Sequence, residues 1–237
     1  MINWDGNTEG VSRRRFLGSG FRAGAASLLA GSFAGQLLTP SLFAQSTLTP
    51  DEALKKLMEG NARYVADKLT NCCHDLNEQR RRTVDKQEPF AAVLSCADSR
   101  VPAELVFDEG IGEIFVTRVA GNVATPEIIG SLEYGAAVLG TPAIVVLGHQ
   151  NCGAVKAAMQ GKAVPGQISS LFPHIQPAVD AEPGHDLEKT IKINASIQAN
   201  LLRKASPVLS EMVTSGKLKI VAGYYELASG KVTLLDG

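Results

Sequence analysis

The chain is poor in several things that would announce a special class. Aromatic residues make up 5% of its 237 positions, with a single tryptophan, and four cysteines are too few to staple a domain of this size. No excess of one charge exists: 23 basic side chains face 24 acidic ones, a formal net charge of −1. That balance provides no basic field for holding nucleic acid. No apolar run is long and uninterrupted, since the mildest one, from about Gly18 to Leu38, is broken by Arg22 and several glycines. What remains is a chain that is 45% hydrophobic, long enough for one ordinary globular domain with an appendage.

The appendage is the N-terminus. Ser12-Arg13-Arg14-Arg15-Phe16-Leu17 precedes the Gly/Ala-rich apolar stretch, which ends in Ser41-Leu42-Phe43-Ala44. A charged start, an apolar middle and a small-residue end make a secretory signal. The paired arginines followed by Phe-Leu resemble the bacterial twin-arginine signal. Residues 1–44 therefore read as an export peptide cleaved after Ala44, and residues 45–237 as the mature domain. The expected destination is the periplasm or cell envelope, with no stable membrane span left after cleavage.

Beyond Thr49 the pattern changes. Thr49-Pro50-Asp51-Glu52 puts a capping residue, a proline and two acids at a helix start. Leu54, Leu57, Met58 and Tyr64 follow at helical spacing. Short Val/Ile-rich runs follow at Phe90–Ser95, Ile114–Arg118, Ala143–Gly148, Leu218–Gly223 and Lys231–Leu235. Most are apolar on both faces, the signature of strands covered on two sides in a parallel sheet. The intervening segments, Pro126–Leu139 and His185–Ala205 among them, are long enough for crossover helices. The fold class is α/β, with a largely parallel central sheet flanked by helices. Pro165–Pro183 reads as the loosest stretch, a surface loop with one helical segment.

The chemistry gathers at two strand ends. The first strand runs into Cys96-Ala97-Asp98-Ser99-Arg100, and the third into His149-Gln150-Asn151-Cys152-Gly153, followed by a helix. In open α/β sheets, ligands collect beyond the carboxyl ends of strands where the strand order reverses. If the two strands are neighbours at that point, Cys96, His149 and Cys152 converge. Two thiolates and one imidazole suit zinc, and three protein ligands leave a fourth position open, as in catalytic sites. A lone cysteine or histidine would read as packing; two motifs at two strand ends do not. Arg100, two residues from Asp98, presents a planar fork for that carboxylate. Asp98 itself either joins the metal or is held off it to orient a solvent molecule.

These residues resemble the β-class carbonic anhydrases, from Cys96 through Glu104, across Phe115-Val116-Thr117-Arg118 with Gly121-Asn122, to Gly148 through Gly153. The resemblance implies reversible hydration of carbon dioxide to bicarbonate and a proton. It implies one zinc ion per subunit on Cys96, His149 and Cys152, with Asp98 and Arg100 as catalytic residues, and Asp98 as a metal ligand in an inactive form. It also implies a homodimer or homotetramer, with Pro50 to Lys68 as an arm that has little of its own domain to cover. Departures are visible as well. Plant-type members carry a glutamine donor near the position of Gly110, where this chain has Asp108-Glu109-Gly110. A subgroup's inhibitory bicarbonate site would fall on Tyr64, Arg118 and Glu226, an altered set. No proton shuttle is named among His74, His174 and His185. The rivals are a same-fold hydrolase of carbonyl sulfide or carbon disulfide, which would share every ligand, and a non-catalytic zinc-binding assembly protein. Cys72-Cys73-His74 reads as an incidental pair, and Arg80-Arg81-Arg82 as a solvated face.

Overall fold

Thr49 starts the first helix by a reciprocal cap. Its Oγ accepts the Glu52 N–H at 3.3 Å while the Glu52 carboxylate accepts the Thr49 N–H at 2.8 Å. The computed structural model describes residues 46–72 and 74–235, so the export peptide expected over residues 1–44, and Cys73, lie outside the described residues. Helix α1 (Pro50–Val65) buries Ala53, Leu54 and Leu57 against Phe90, Val101, Phe107, Leu147 and Tyr225 of its own chain. This corrects the expectation of an arm with little to cover. Each fully buried leucine is worth roughly 1.5–3 kcal/mol, so α1 is bound firmly to its own domain. The reason is a long-range one: β1, β3 and the segment around α3 offer α1 an apolar face built from residues far from it in sequence.

Helix α2 (Leu76–Arg82) buries nothing, and its arginines point outward, Arg81 pairing with Glu78 at 2.5 Å. Strand β1 (Ala91–Ser95) leads through the short α3 (Ala103–Val106) to β2 (Ile114–Arg118). Next come α4 (Pro126–Glu133), running on as a π-helical turn over Tyr134–Val138, then β3 (Ala143–His149) and α5 (Gly153–Gln160). A 3₁₀ stretch over Gly166–Leu171 and α6 (Phe172–Asp180) occupy the segment read as loosest; Ile175 and Ala178 anchor that helix in the core. Finally α7 (Leu187–Ala205), α8 (Pro207–Thr214), β4 (Lys219–Tyr225) and β5 (Val232–Leu235) complete the order.

The strands form one sheet in the order β2-β1-β3-β4-β5, parallel except for the antiparallel edge strand β5. Every residue of β1 and β3 is buried, as two-sided coverage requires. One apolar cluster lies under α1 and α3, another under α4, α7 and α8. The chain leaves β1 to one side for β2 and returns on the other for β3, so the β1/β3 boundary is the reversal point. Ser95 pairs with Leu147 there, which brings Cys96, just past the end of β1, close to His149, the last residue of β3. Among the described residues no helix is long and apolar enough to cross a membrane.

Candidate metal centre

The end of β1 turns sharply. Asp98 Oδ1 accepts the Arg100 N–H at 2.9 Å, an Asx-turn, and the Asp98 carbonyl accepts from Val101 N–H at 3.1 Å. The same turn folds the Arg100 side chain back on the carboxylate: Nε donates to Oδ1 at 2.9 Å and Nη2 to Oδ2 at 2.7 Å. Arg100 holds the Asp98 carboxyl well below the usual carboxylate range, its hydrogen bonds outweighing the opposing effect of burial. A second donation, from Arg100 Nη2 to the Asn151 carbonyl at 3.4 Å, reaches across to the other strand's loop.

That loop is built by β3. His149 is its last residue and wholly buried. Gln150 is tied to the neighbouring strand end through N–H to the Tyr225 carbonyl at 2.8 Å and through Oε1, which accepts Leu227 N–H at 3.1 Å. Asn151 takes a left-handed conformation, φ 56°, which swings Cys152 into the N-cap position of α5. The result brings three side chains together: the ligand atoms of Cys96, His149 and Cys152 all lie within 4.8 Å of one another, and all three residues are buried.

The donor set has the marks of a soft-metal site. His149 Nδ1 faces the Gln150 carbonyl at 3.0 Å, which leaves Nε2 as the ring atom turned inward. Nε2 is buried without any hydrogen-bond partner, an arrangement that costs stability unless something else uses its lone pair. The sulfurs sit in an apolar cluster with Val123, Val155, Ile175 and Ile191. The hydrogen bond from Cys152, opposed by burial and aided by His149 and the N–H groups of Gly121 and Asp98, holds the Cys96 thiol well below its usual value. Cys152, as the donor and itself buried, is pushed up. Two sulfurs and one imidazole nitrogen, dry and convergent, fit zinc, which takes over the role of the shared proton.

Asp98 stands beside this trio. Its Oδ2 is 3.8 Å from His149 Nε2, but both oxygens are already engaged by Arg100. Other sequence candidates lie elsewhere. Glu109 is enclosed, its carboxylate oxygens without hydrogen bonds and Lys56 Nζ 3.7 Å away. Burial pushes its carboxyl up to about 7. Tyr64 meets Tyr225 hydroxyl to hydroxyl at 3.3 Å, and Glu226 bonds to Ser229. None of His74, His174 and His185 joins the trio.

Two supports were not anticipated. Arg118, at the end of β2, donates from Nε to the Cys96 carbonyl at 3.0 Å and from Nη2 to the Asp98 carbonyl at 2.6 Å. The Gly121 N–H donates to the Cys96 sulfur at 3.3 Å. Both residues lie in the quoted motifs, yet nothing local in the sequence assigns either to the loop after β1.

Comparison with known proteins places these observations. The family model described as carbonic anhydrase matches residues 91–232. Carbonic anhydrase 2 of Mycobacterium tuberculosis H37Rv is 36% identical over 194 residues, covering 79% of this chain and 93% of the relative. The carbonic anhydrase of Mycolicibacterium smegmatis is 35% identical over 192 residues, covering 78% and 93%. Among solved structures, the Coccomyxa β-carbonic anhydrase in complex with acetazolamide matches with a TM-score of 0.61 at 25% identity, covering 77% of this chain and 86% of that one. A tetrameric β-carbonic anhydrase from Sordaria macrospora matches in fold with a TM-score of 0.62 at 18% identity, covering 78% and 98%.

Proposed function

This chain belongs to the β-class carbonic anhydrase family, and from that premise we propose how its own residues carry out the reversible hydration of carbon dioxide to bicarbonate and a proton. Cys96, His149 and Cys152 hold the zinc ion of this zinc enzyme. When bound, zinc supplies a Lewis acid that makes water a competent nucleophile near neutral pH. The observation that carries the assignment is His149 Nε2, buried, unpartnered and turned toward two sulfurs within 4.8 Å.

The remaining residues orient and exclude. Asp98, ionised because Arg100 grips both its oxygens, accepts a hydrogen bond from the attacking solvent molecule at the open side of the trio. Arg100 stops that carboxylate from rotating, and its bond to the Asn151 carbonyl fixes the two ligand loops relative to each other. Val123, Val155 and Ile191, packed with the two cysteines, keep water away from the buried side of the trio. Asp98→Ala in the zinc-loaded enzyme should lower turnover about a hundredfold or more while zinc content stays near one per chain. Full turnover in that variant would remove Asp98 from the mechanism, and a native protein without zinc would remove the metal assignment.

The finer placement of the protein rests on sequence. Residues 1–44 act as a twin-arginine-type export peptide, cleaved after Ala44, and deliver the zinc enzyme folded to the periplasm or cell envelope. Arg13-Arg14 before Phe16-Leu17, the Gly/Ala-rich apolar middle and the small residues near Ala44 support this. The mature chain works as a homodimer or homotetramer. The tetrameric Sordaria macrospora relatives and the exposed apolar side chains of Leu76, Val84 and Ile111 favour assembly.

A further inference from the structure

The segment between β2 and α4 approaches the metal centre through one peptide unit. Gly121 sits at φ +77°, and this left-handed turn aims its N–H at Cys96 Sγ, 3.3 Å away. A Cβ there would meet Ile175 Cδ1 at 2.9 Å and Ala154 Cβ at 3.4 Å, so glycine alone allows both the conformation and the close approach. The other end of that residue is also held: the Gly121 carbonyl accepts from Asn194 Nδ2 at 2.9 Å.

Asn194 belongs to α7, 73 positions away from the glycine it binds. One turn further along the same inward face lies Gln198. Its Nε2 donates to Asn194 Oδ1 at 3.3 Å and to the His174 carbonyl at 2.9 Å, while its Oε1 accepts the Ala124 N–H at 2.9 Å. Both amides are buried, at 0% and 1% exposure, in a helix face that also holds Ile191, Ala195, Ala199 and Leu202, with Thr190 at its start bonded within the helix. Apolar residues would pack such a face with no polar groups to satisfy. These two instead spend their donors and acceptors on both flanks of the 121–124 loop, and the loop's one polar contact with the trio is the N–H on Cys96.

We propose that Asn194, seconded by Gln198, is a positioning residue of the zinc site, acting on the Cys96 thiolate through the Gly121 peptide. A hydrogen bond to a metal-bound sulfur fixes the direction of its lone pairs and draws charge from it, which tunes metal retention. The inference rests on Cys96 being a zinc ligand.

Asn194→Asp keeps the shape but replaces the donor with an oxygen facing the Gly121 carbonyl. Zinc should leave this variant for a chelator about tenfold faster or more than it leaves the wild type. In the cobalt-substituted variant the thiolate-to-metal charge-transfer band should shift. Asn61→Leu serves as the control: it removes an equally buried amide, which on α1 bonds to the Val106 and Gly230 carbonyls and to Val232 N–H. It should lower the melting temperature without moving the band. Wild-type zinc release and an unmoved band in Asn194→Asp, or an equal shift in Asn61→Leu, would overturn the proposal. Should Asn194→Asp fail to fold, the wild type decides: with a spin-active cadmium isotope in the site, the Gly121 amide proton should show scalar coupling to the metal across the hydrogen bond. No coupling in a cadmium-loaded protein refutes the relay alone. Failure of wild-type protein to bind any of these metals refutes the ligand assignment beneath it.

Discussion

Asp108 and Arg63 meet at 2.5 Å, Oδ2 to Nε, and tie α1 to the turn after α3. The carboxylate does more than pair. Its oxygens also accept the N–H groups of Thr70, Asn71 and Cys72 and the Thr70 hydroxyl, so one buried side chain anchors the strap that follows α1. Burial would push the Asp108 carboxyl up, but the Arg63 hydrogen bond and those backbone donors outweigh it and hold it well below the usual range.

Asp108→Asn should therefore cost about 3 kcal/mol, because the amide turns a donor toward donors and removes the charge that Arg63 faces. Chemical denaturation at neutral pH measures this. The contribution of a depressed carboxyl is complete above its unfolded value of about 3.9 and fades as pH falls through the folded one. The gap between wild type and Asp108→Asn should accordingly shrink in acid. A gap that stays constant down to the lowest pH the fold survives would contradict the pairing argument.

Glu109 works in the opposite sense. Burial raises its carboxyl from 4.5 to about 7, with Lys56 only partly offsetting. A raised carboxyl lets the folded state hold a proton that the unfolded state has released. Stability from this group is then highest below about 4, falls as pH climbs to about 7, and levels off above. The total is on the order of 3 kcal/mol. Glu109→Gln should flatten that slope and make the protein more stable at pH above about 7. Unfolding curves across the range decide it; a Gln variant with the wild-type slope would exonerate Glu109.

Arg118 braces the ligand loop by its backbone. Lysine can reach one carbonyl but cannot span those of Cys96 and Asp98 with one planar group. Arg118→Lys should lower kcat about tenfold, leaving KM and zinc content nearly unchanged, since the loop would carry Asp98 less accurately. Steady-state hydration kinetics with elemental analysis test this. Unaltered kcat would reduce Arg118 to a surface contact.

Replacing Arg13 and Arg14 together by lysine should leave the protein in the cytoplasm at full length. Fractionation of cells making the tagged protein reads the outcome directly. Normal appearance of the shortened form in the periplasm would rule out a twin-arginine route.

Much of this molecule was legible locally. A strand covered on both faces writes itself as a short Val/Ile run, and Ile114–Arg118 falls on β2 to the residue. The Thr49-Glu52 cap depends on four consecutive positions, and the i+2 fork of Arg100 on Asp98 on three. Cysteine and histidine after two such strands already pointed to one reversal point, because parallel β1 and β3 leave their carboxyl ends adjacent.

What the sequence could not determine is what depends on chain path rather than chain neighbours. Asn194 reads as a polar residue on a helix until the fold puts it against Gly121. Asp108 carries no role of its own in the sequence until α1 brings Arg63 and the 70–72 strap onto its oxygens. Leu54 and Leu57 read as a face awaiting a partner, and the sheet of their own chain supplies it. Periodicity and caps are set by torsions and contacts a few residues apart. Where a buried polar atom finds its partner is settled only when distant segments close around it and water is excluded, and that is where this protein fixes its Cys96 sulfur.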